Sequence, residues 1–352
     1  MFCIDNLVRG GTELQVIGLI ERLDRDKYEP YLLTIRETDP NLVPENCVHL
    51  DWNVNRLFSV KGLGALVRLA GFLRSRNISI VQTYFQDSTI FAGIASCLAR
   101  VPIRIACFRD MAFWENNTSK LAISLVYRCM THYLCNAAAV RERFIKLFGL
   151  KKSKFSIVPN GVDASKLEFL KHSGDATDIA IIGNMTREVK RVDLFLDAAS
   201  EVLKEFPSVR FHVVGDGDLR PSLEEQTERS GIRDKVNFTG RIADVGEYLK
   251  KIHIGIICSD SEGLSNAILE YMFRGVACIA TEVGGNPELV LDGETGVLVA
   301  PGDPIALSEA IKSLLTNNDR RESIARSARA FVEERYSWNS CISAHERVYC
   351  SF

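Results

Sequence analysis

Two carboxylates and a group of cations are the residues of this sequence whose types and spacing best suit chemistry. Glu262 and Glu270 stand eight residues apart in the stretch SEGLSNAILE. Arg187 and Lys190 follow the glycine of GNMTREVKR. Carboxylates accept hydrogen bonds from hydroxyl-rich groups, and an Arg beside a Lys can neutralise a diphosphate. Taken singly, each pair could equally be a set of solvated surface charges.

The local pattern around Glu262 predicts an anion site at the start of a helix. A strand-like run, IHIGIIC, ends at 258, and Ser265 and Asn266 are both good N-cap residues. The backbone amides of Leu264 to Ala267 would then lack partners within the helix, and such a helix start attracts phosphate. Glu262 in the loop could reach one side of a ligand, and Glu270 another.

Further glycine turns follow other strand-like runs. Gly10 and Gly11 precede a helical pattern that Thr12 could cap. A Gly-x-Gly turn occurs in VVGDGDLRPSLEE, where a simple turn without a ligand is the usual reading. Gly284 and Gly285 are expected to be mainly structural and also to line a cleft. Arg109 and Asp110, in CFRDMAFWEN, are candidates to face a cleft with a general acid/base or acceptor role; the alternative is an ion pair within a loop.

Short apolar runs alternate with helical patterns along the chain, which predicts an α/β fold. The runs are nearly continuous, as in parallel strands buried on both faces. The predicted strands are 31–35, 78–84, 103–108, 131–135 and 155–159, then 178–184, 209–215, 235–240, 252–258, 276–281 and 295–300. From Asp303 onward the sequence predicts helices only.

The two series of strands predict two doubly wound, Rossmann-like domains that face a cleft. The polar, non-periodic stretch 170–178 is the candidate linker. We expect a first domain at 1–170, a second domain at 171–335, and a C-terminal helix at 336–352 that packs back on the first domain.

Composition narrows the class of protein. The formal net charge of −2 gives no argument for nucleic acid as a partner. The ten cysteines occur without CxxC or metal-type spacing, and five lie in apolar runs, so we expect free thiols in a reducing compartment. With no signal-peptide pattern at the start and no long apolar run, we expect a cytoplasmic protein.

The order of these motifs resembles the retaining glycosyltransferases of the GT-B fold known as group 1 or family 4. The motifs run from GGTELQ through PNGVD, GNMTREVKR, VVGDGDLR and VNFTGR to SEGLSNAILEYMFRGVACIATEVGGNPELV and FVEERYSW. The resemblance covers nearly the whole chain and is most specific over about fifty residues from Cys258 onward.

The resemblance implies that 1–170 is the acceptor-side domain, with Arg109 and Asp110 as acceptor-side candidates, and that 171–335 is the nucleotide-sugar donor-binding domain. It also implies a role for each matching residue. Glu262 would contact the transferred sugar and Glu270 the ribose of the nucleotide. Arg187 and Lys190 would neutralise the diphosphate leaving group, while Gly11 and Gly183 would also line the donor. The backbone of Gly263, Leu264, Ser265 and Asn266 would hold the donor sugar and its diphosphate.

The implied reaction moves a hexose-type sugar from a UDP- or GDP-sugar to a saccharide or lipid-linked acceptor, with retained anomeric configuration and no bound metal or other cofactor. Such a reaction belongs to the synthesis of cell-surface polysaccharide or glycolipid. Two other activities stay open: a nucleotide-sugar epimerase on a GT-B-like scaffold, and a non-catalytic nucleotide-sugar binding subunit.

The sequence departs from the family pattern at three places. Asn184 stands where relatives often carry Arg, so Arg187 is the substitute. The region CFRDMAF has no histidine, so no catalytic histidine can be assigned. The strand before the Gly-Gly turn is short, which a misassigned start codon or a trimmed strand would explain.

The basic, amphipathic segment 140–155 can be interpreted as a membrane-binding segment. Val140, Phe144, Leu147 and Phe148 share a helical face beside several Lys and Arg residues. This segment could rest on an anionic membrane leaflet, which would place the protein at the inner face of the cytoplasmic membrane. The favoured alternative is a core helix with a solvated basic end.

Overall fold

The computed structural model describes residues 1–54, 56–57, 59–112, 117–163, 168–170, 175 and 177–352. Most of the linker predicted at 170–178 lies outside these residues. Within them the strands are β1 (Phe2–Ile4), β2 (Tyr31–Thr34), β3 (Val48–Asp51), β4 (Ile80–Tyr84), β5 (Ile103–Phe108), β6 (His132–Cys135), β7 (Phe155–Ile157), β8 (Asp178–Ile182), β9 (Arg210–Val214), β10 (Val236–Gly240), β11 (Ile254–Ile257), β12 (Ala277–Thr281) and β13 (Val297–Val299).

The helices of the described residues follow most of these strands, and three of them end the chain. They are α1 (Gly11–Arg22), α2 (Val60–Ser75), α3 (Gln86–Ala99), α4 (Asn117–Cys129), α5 (Ala138–Phe148), α6 (Val192–Leu203), α7 (Arg220–Arg229), α8 (Val245–Tyr248), α9 (Asn266–Arg274), α10 (Asn286–Leu289), α11 (Pro304–Thr316), α12 (Asn318–Arg335) and α13 (Trp338–Tyr349). Among the described residues from Asp303 onward the elements are helices only, as predicted.

The chain forms two compact units, each with its own sheet. The first unit comprises Met1–Gly161 and Trp338–Phe352, and the second comprises Val162–Ser337. In the described residues the first sheet has the order β3-β2-β1-β4-β5-β6-β7 and the second the order β10-β9-β8-β11-β12-β13. All of these strand pairs are parallel. The predicted α/β fold with two doubly wound, Rossmann-like parallel sheets is therefore confirmed.

The predicted apolar runs form strands because side chains of the helices cover them in the core. In the first unit, α1 and α13 contribute to a cluster on one face of the sheet, and α2 and α3 contribute to a separate cluster on the other face. In the second unit, side chains of β8, β9 and β11 form one buried cluster with α6 and α11.

The short strand expected before the Gly-Gly turn is β1, and one strand, β3, was not predicted. β1 has only three residues, and its run ends at once in the polar turn that follows. β3 is an edge strand whose residues are exposed or half-buried, so it lacks the apolar run that marks the inner strands.

The strand order reverses once in each sheet, and ligands of doubly wound folds bind at such a reversal, beyond the carboxyl ends of the strands. In the first unit the reversal lies between β1 and β4, and in the second it lies between β8 and β11. The loop after β1 leads to Gly11, the first residue of α1, while the loop after β8 carries Lys190 and the loop after β11 carries Glu262.

Candidate active site

The loops after β8 and β11 meet at the reversal of the second sheet. The loop after β8 contains a single 3-10 turn, Glu188–Lys190. The amide of Asp260, in the loop after β11, donates to the carbonyl of Val189 in that turn at 2.9 Å. This backbone bond holds the two loops in register, so that side chains from both can reach one point.

Lys190 and Glu262 contact each other at this point. The Lys190 Nζ lies 2.6 Å from Glu262 Oε1, and the Ser259 hydroxyl donates to the same oxygen at 2.7 Å. The Glu262 side chain is only 10% exposed and that of Lys190 is 31% exposed. A Cβ added to Gly183 would lie 3.7 Å from the Lys190 side chain. The structure thus brings together Gly183, Lys190 and Glu262, all predicted site residues, with Ser259, which the sequence did not single out.

The other two cations of this loop differ in environment. Arg187 is exposed and stands at the N-cap position of the turn that carries Lys190. Arg191 donates to both carboxylate oxygens of Asp193 and of Asp260, and hydrogen bonding with Asp193 is the main cause that raises its pKa. Arg191 therefore ties the loops together, whereas Arg187 stays a candidate for the diphosphate.

The helix start predicted near Ser265 and Asn266 is confirmed. Ser265 is the N-cap of α9, and its hydroxyl accepts from the amide of Ile268 at 3.4 Å. Gly263 and Leu264 are buried just before the cap, and Asn266 is the first helical residue. The first amides of α9 thus project from the carboxyl edge of the sheet, where the helix dipole favours an anion.

Glu270 lies one turn further along α9. Its side chain is partly exposed, and no described residue donates a hydrogen bond to its carboxyl group. Desolvation by the surrounding protein raises the pKa of this carboxyl from 4.5 to about 7. A carboxyl in this state gains a partner if a ligand hydroxyl comes within reach.

Gly284, after β12, is required for the position of the Glu262 backbone. Its φ is +52°, and a Cβ there would overlap the carbonyl oxygen of Glu262. The amide of Gly285 donates to the same carbonyl at 3.4 Å. Only glycine combines this conformation with so close an approach. This close packing against Glu262 is the physical reason for the mainly structural role predicted for Gly284.

The Gly-x-Gly turn after β9 is likewise explained by close backbone packing. A Cβ on Gly215 would overlap the carbonyl of Gly183, and one on Gly217 would overlap the backbone of Met185. The amide of Met185 also donates to the carbonyl of Asp216 at 3.1 Å. The turn therefore supports the loop that carries Lys190, and its glycines are accounted for without a ligand.

In the first unit, the predicted cap of α1 by Thr12 is wrong. α1 begins at Gly11, and its N-cap is Gly10, without a capping side chain. The carboxylate of Glu13 instead folds back over Gly10, where a Cβ would collide with it. Glu13 is buried, and this burial raises the pKa of its carboxyl. Glu13 was not predicted as a site residue, although an acidic residue in the first turn after Gly-Gly is a readable signal.

Arg109 and Asp110 follow β5 and line a pocket with Thr12 and Phe85. The Arg109 guanidinium donates to Asn160 Oδ1 at 2.5 Å. Asp110 Oδ1 accepts from the amide of Ala112 at 2.7 Å, so the Asp110 carboxylate stabilises a local turn. The structure thus brings Arg109 to Asn160 of the motif PNGVD, a residue for which the sequence predicted no role.

Phe85, after β4, holds a backbone conformation that only glycine adopts readily. Its φ is +64° and its ψ is 177°. Such conformations cost about 1–3 kcal/mol and gather at functional sites. The strained residue lies beside the sheet reversal and lines the same pocket as Arg109, which supports a binding role for this pocket.

The apolar face of α5 is packed inside the first unit. Val140 and Phe144 are buried, Phe144 stacks on Phe108 with ring centroids 3.8 Å apart, and Phe148 meets Tyr127 edge to face. The segment 140–155 is therefore a core helix with a solvated basic end, and its apolar face is not free to enter a membrane.

All ten cysteines are free thiols. In the parts of the chain that the structure describes, no group of three or more His, Cys, Asp or Glu side chains is arranged to hold a metal ion. None of the described helices has the length and apolar character needed to span a bilayer. The expectation of metal-independent chemistry stays a prediction.

Two family models match successive parts of the chain. The model described as Glycosyltransferase Family 4 matches residues 9–166, and the model described as Glycosyl transferases group 1 matches residues 176–317. The first match ends close to the boundary of the first unit, and the second covers the sheet that carries Lys190 and Glu262.

Two curated relatives and one solved structure show the extent of similarity. The Vi polysaccharide biosynthesis protein VipC/TviE of Salmonella typhi is 30% identical over 236 residues, 62% of this chain but only 40% of that protein. The UDP-Gal:alpha-D-GlcNAc-diphosphoundecaprenol alpha-1,3-galactosyltransferase of Escherichia coli is 27% identical over 82% of this chain and 83% of that protein. HepE of Anabaena, crystallised with UDP, has the same fold with a TM-score of 0.89 at 19% identity, over 100% of this chain and 99% of that one.

Proposed function

We propose that this GT-B glycosyltransferase, whose two halves match the family 4 and group 1 models, moves a hexose-type sugar from a nucleotide-diphosphate sugar to a saccharide or lipid-linked acceptor with retained anomeric configuration. The observation that carries the proposal is the contact of Lys190 with Glu262 at the strand-order reversal of the second sheet.

A bound nucleotide sugar offers Lys190 and Glu262 each a better partner than they offer one another. Its diphosphate would accept hydrogen bonds from Lys190, from Arg187 on the same turn and from the first amides of α9. The hydroxyls of its sugar would then donate to the freed oxygens of Glu262. Glu270, whose carboxyl group is partly desolvated, would accept from the hydroxyls of the ribose. The backbone of Gly263 to Asn266 would hold the sugar and diphosphate between them.

The reaction breaks the bond between the anomeric carbon of the sugar and the diphosphate oxygen. The acceptor hydroxyl oxygen forms the new bond to that carbon, and its proton passes to the departing phosphate oxygen. Negative charge accumulates on the diphosphate as the bond breaks, and Lys190, Arg187 and the helix amides stabilise it. Attack from the side of the leaving group gives retention, and these cations make a bound metal unnecessary.

The acceptor is proposed to bind in the first unit, at the pocket beside Arg109 and the strained residue Phe85. The named substrate of the Escherichia coli relative supports a lipid-diphosphate-linked saccharide as the acceptor class. The crystals of HepE with UDP and with UDP-glucose support UDP over GDP as the nucleotide of the donor.

A transfer assay tests this function. UDP- and GDP-hexoses are first screened by thermal shift, because a bound donor stabilises the folded chain. The stabilising donor is then incubated with saccharide and lipid-linked acceptors, and the product linkage is read by nuclear magnetic resonance. For Glu262→Gln we expect a folded protein with a loss in kcat/KM of about a hundredfold.

Glu294→Gln is the matched control, since Glu294 is an exposed carboxylate of the same unit and should keep wild-type turnover. Wild-type activity in Glu262→Gln would refute the assignment of the site. An inverted linkage would refute retention alone. Interconversion of the donor sugar without an acceptor would identify an epimerase, and donor binding without turnover would identify a binding subunit.

A further inference from the structure

The outer face of α2 carries apolar side chains that no described residue of the first unit covers. Val60 is 91% exposed, Leu63 is 63% exposed and Val67 is 60% exposed. Their spacing of three and four residues places them in one stripe on the helix. The opposite side of α2 is buried, with Ala65, Leu69 and Leu73 in the core. This helix is therefore apolar on two sides, although one side faces solvent.

A second exposed apolar pair lies on α4. Leu121 is 71% exposed and Leu125, one turn later, is also exposed. Among the described residues, the four most exposed large aliphatic side chains are Val60, Leu121, Leu63 and Val67. Such side chains are normally scattered singly over a protein surface, so their concentration on two helices marks an interaction surface.

The two helices belong to one layer of the first unit. α2 packs along α3, and α3 packs along α4. In parallel βα units each helix begins beyond the carboxyl end of its preceding strand. Val60, Leu63 and Leu121 lie in the first turns of their helices, so they are nearest to the carboxyl edge of the sheet, the edge that also carries the pocket of Arg109.

The charges of α2 and α4 have one sign. The sequence of α2 contains Lys61, Arg68 and Arg74, and that of α4 contains Lys120 and Arg128. Neither helix contains Asp or Glu. An exposed apolar stripe flanked by cations is the pattern of a helix that rests on an anionic membrane surface.

We propose that the α2/α4 face, formed by Val60, Leu63, Val67, Leu121 and Leu125 with the five cations of these helices, docks on an anionic lipid bilayer. A second copy of the chain is a poorer occupant, because a two-fold interface would bring the same cations of both copies together. The proposal goes beyond the proposed function and does not depend on sugar transfer. It places the membrane contact on α2 and α4 rather than on the segment 140–155.

Vesicle sedimentation with the full chain tests the proposal. The probes are vesicles of phosphatidylcholine alone and vesicles with about one-third phosphatidylglycerol. We expect binding to the anionic vesicles that weakens when the ionic strength is raised to about 0.5 M. For the double variant Leu63→Gln/Leu121→Gln we expect about tenfold weaker binding, since two aliphatic side chains no longer leave water.

Ile305→Gln is the matched control, because Ile305 is 57% exposed on α11 of the second unit and should leave vesicle binding unchanged. A second variant, Lys61→Gln/Arg68→Gln, should lose the preference for anionic vesicles while its thermal melt stays that of the wild type. Absence of binding to anionic vesicles, or equal binding by wild type and the leucine variant, would overturn the proposal.

A wild-type dimer that Leu63→Gln/Leu121→Gln converts to a monomer, without vesicle binding, would instead assign the face to a second copy. A chain that binds vesicles but transfers no sugar would keep this inference and refute the proposed function.

Discussion

Three hydrogen-bond donors hold Glu262 in place, so the position of its carboxylate depends on the residues around it. Its Oε1 accepts from Lys190 and from Ser259, and its backbone carbonyl accepts from Gly285. The side chain therefore has little freedom before a ligand arrives. A donor need only exchange the ammonium of Lys190 for its own hydroxyls, because the position of the carboxylate is already set.

Replacing Lys190 by alanine should separate diphosphate binding from the fold. We expect Lys190→Ala to bind UDP about tenfold more weakly, since one charge-assisted contact to the diphosphate is lost. Isothermal titration calorimetry with UDP measures this directly. Lys204→Ala removes an exposed lysine of an ion pair on α6 and should bind UDP as the wild type does. Equal UDP affinity in the Lys190 variant would place the diphosphate elsewhere.

Because of Glu270, the free energy of unfolding should depend on pH between the pKa of this carboxyl in the unfolded chain and its pKa in the folded chain. The carboxyl titrates near 4.5 when unfolded and near 7 when folded. Between these values unfolding releases a proton, so the free energy of unfolding falls as pH rises and levels off above about 7. Glu270→Gln removes the ionisation and should be more stable than wild type at pH 8 by about 1–2 kcal/mol, after allowance for partial exposure.

Denaturant melts at pH 4 and at pH 8 check this sign. The advantage of Glu270→Gln should disappear at the lower pH, where the wild-type carboxyl is protonated in both states. Glu294→Gln, at an exposed position, should show no such dependence. A constant difference between Glu270→Gln and wild type at both pH values would contradict a raised pKa at Glu270.

At the scale of elements, three loops of the second unit are joined through their backbones. The loop after β11 bonds to the loop after β8 through Asp260, and it meets the loop after β12 at Gly284. The turn after β9 packs on Gly183 and Met185 from another side. A change in one of these loops is therefore transmitted to the position of Lys190 or of Glu262.

Gly284→Ala should damage the site more than an equally strained glycine elsewhere. Both Gly284, at φ +52°, and Gly302, at φ +78°, have left-handed backbones, which cost a non-glycine residue about 1–2 kcal/mol. A Cβ at Gly302 meets open space, whereas one at Gly284 overlaps the Glu262 carbonyl. We expect both variants to lose stability in thermal melts, but only Gly284→Ala to lose UDP affinity as well. Equal UDP affinity in the two variants would refute this coupling.

At the scale of the whole molecule, the chain leaves the first unit at Gly161 and returns to it at Trp338. The returning helix α13 completes the core of the first unit. The ring of Trp338 lies where side chains at Gly18 and Gly161 would be, and Tyr349 donates to Gln82 Oε1 at 2.6 Å inside the core. The last fifteen residues therefore belong to the first sheet structurally, although they follow the second in sequence.

Tyr349→Phe should destabilise the first unit through one unsatisfied atom. Gln82 donates to Tyr84 and receives from Tyr349, and all three side chains are buried. Loss of the Tyr349 hydroxyl leaves Gln82 Oε1 without its donor, at a cost of about 1–3 kcal/mol in denaturant unfolding. Tyr28→Phe is the control, since Tyr28 is only half-buried and contacts Cys350 Sγ at 4.0 Å. Equal stability of the two variants would contradict the network.

The sequence determined the fold class because inner parallel strands are apolar on both faces and leave a readable pattern. The eleven predicted strands were found, and β3 was missed because an edge strand buries too little to carry that pattern. The helix start at Ser265 was predictable because capping depends on residues adjacent in sequence. The cap predicted for α1 was wrong, because the helix begins at Gly11 rather than after Thr12 and the Glu13 carboxylate folds back over its N-cap, Gly10.

The sequence by itself selected Glu262 and Lys190, from their types, their places after strands and the order of the motifs around them. Only the tertiary structure decided that they contact each other, that Arg191 is engaged by two aspartates, and that Leu63 and Leu121 face solvent. The physical reason is the same in each case. A side chain's partners and its exposure depend on residues distant in sequence, and helical spacing alone does not show which apolar side of a helix is buried.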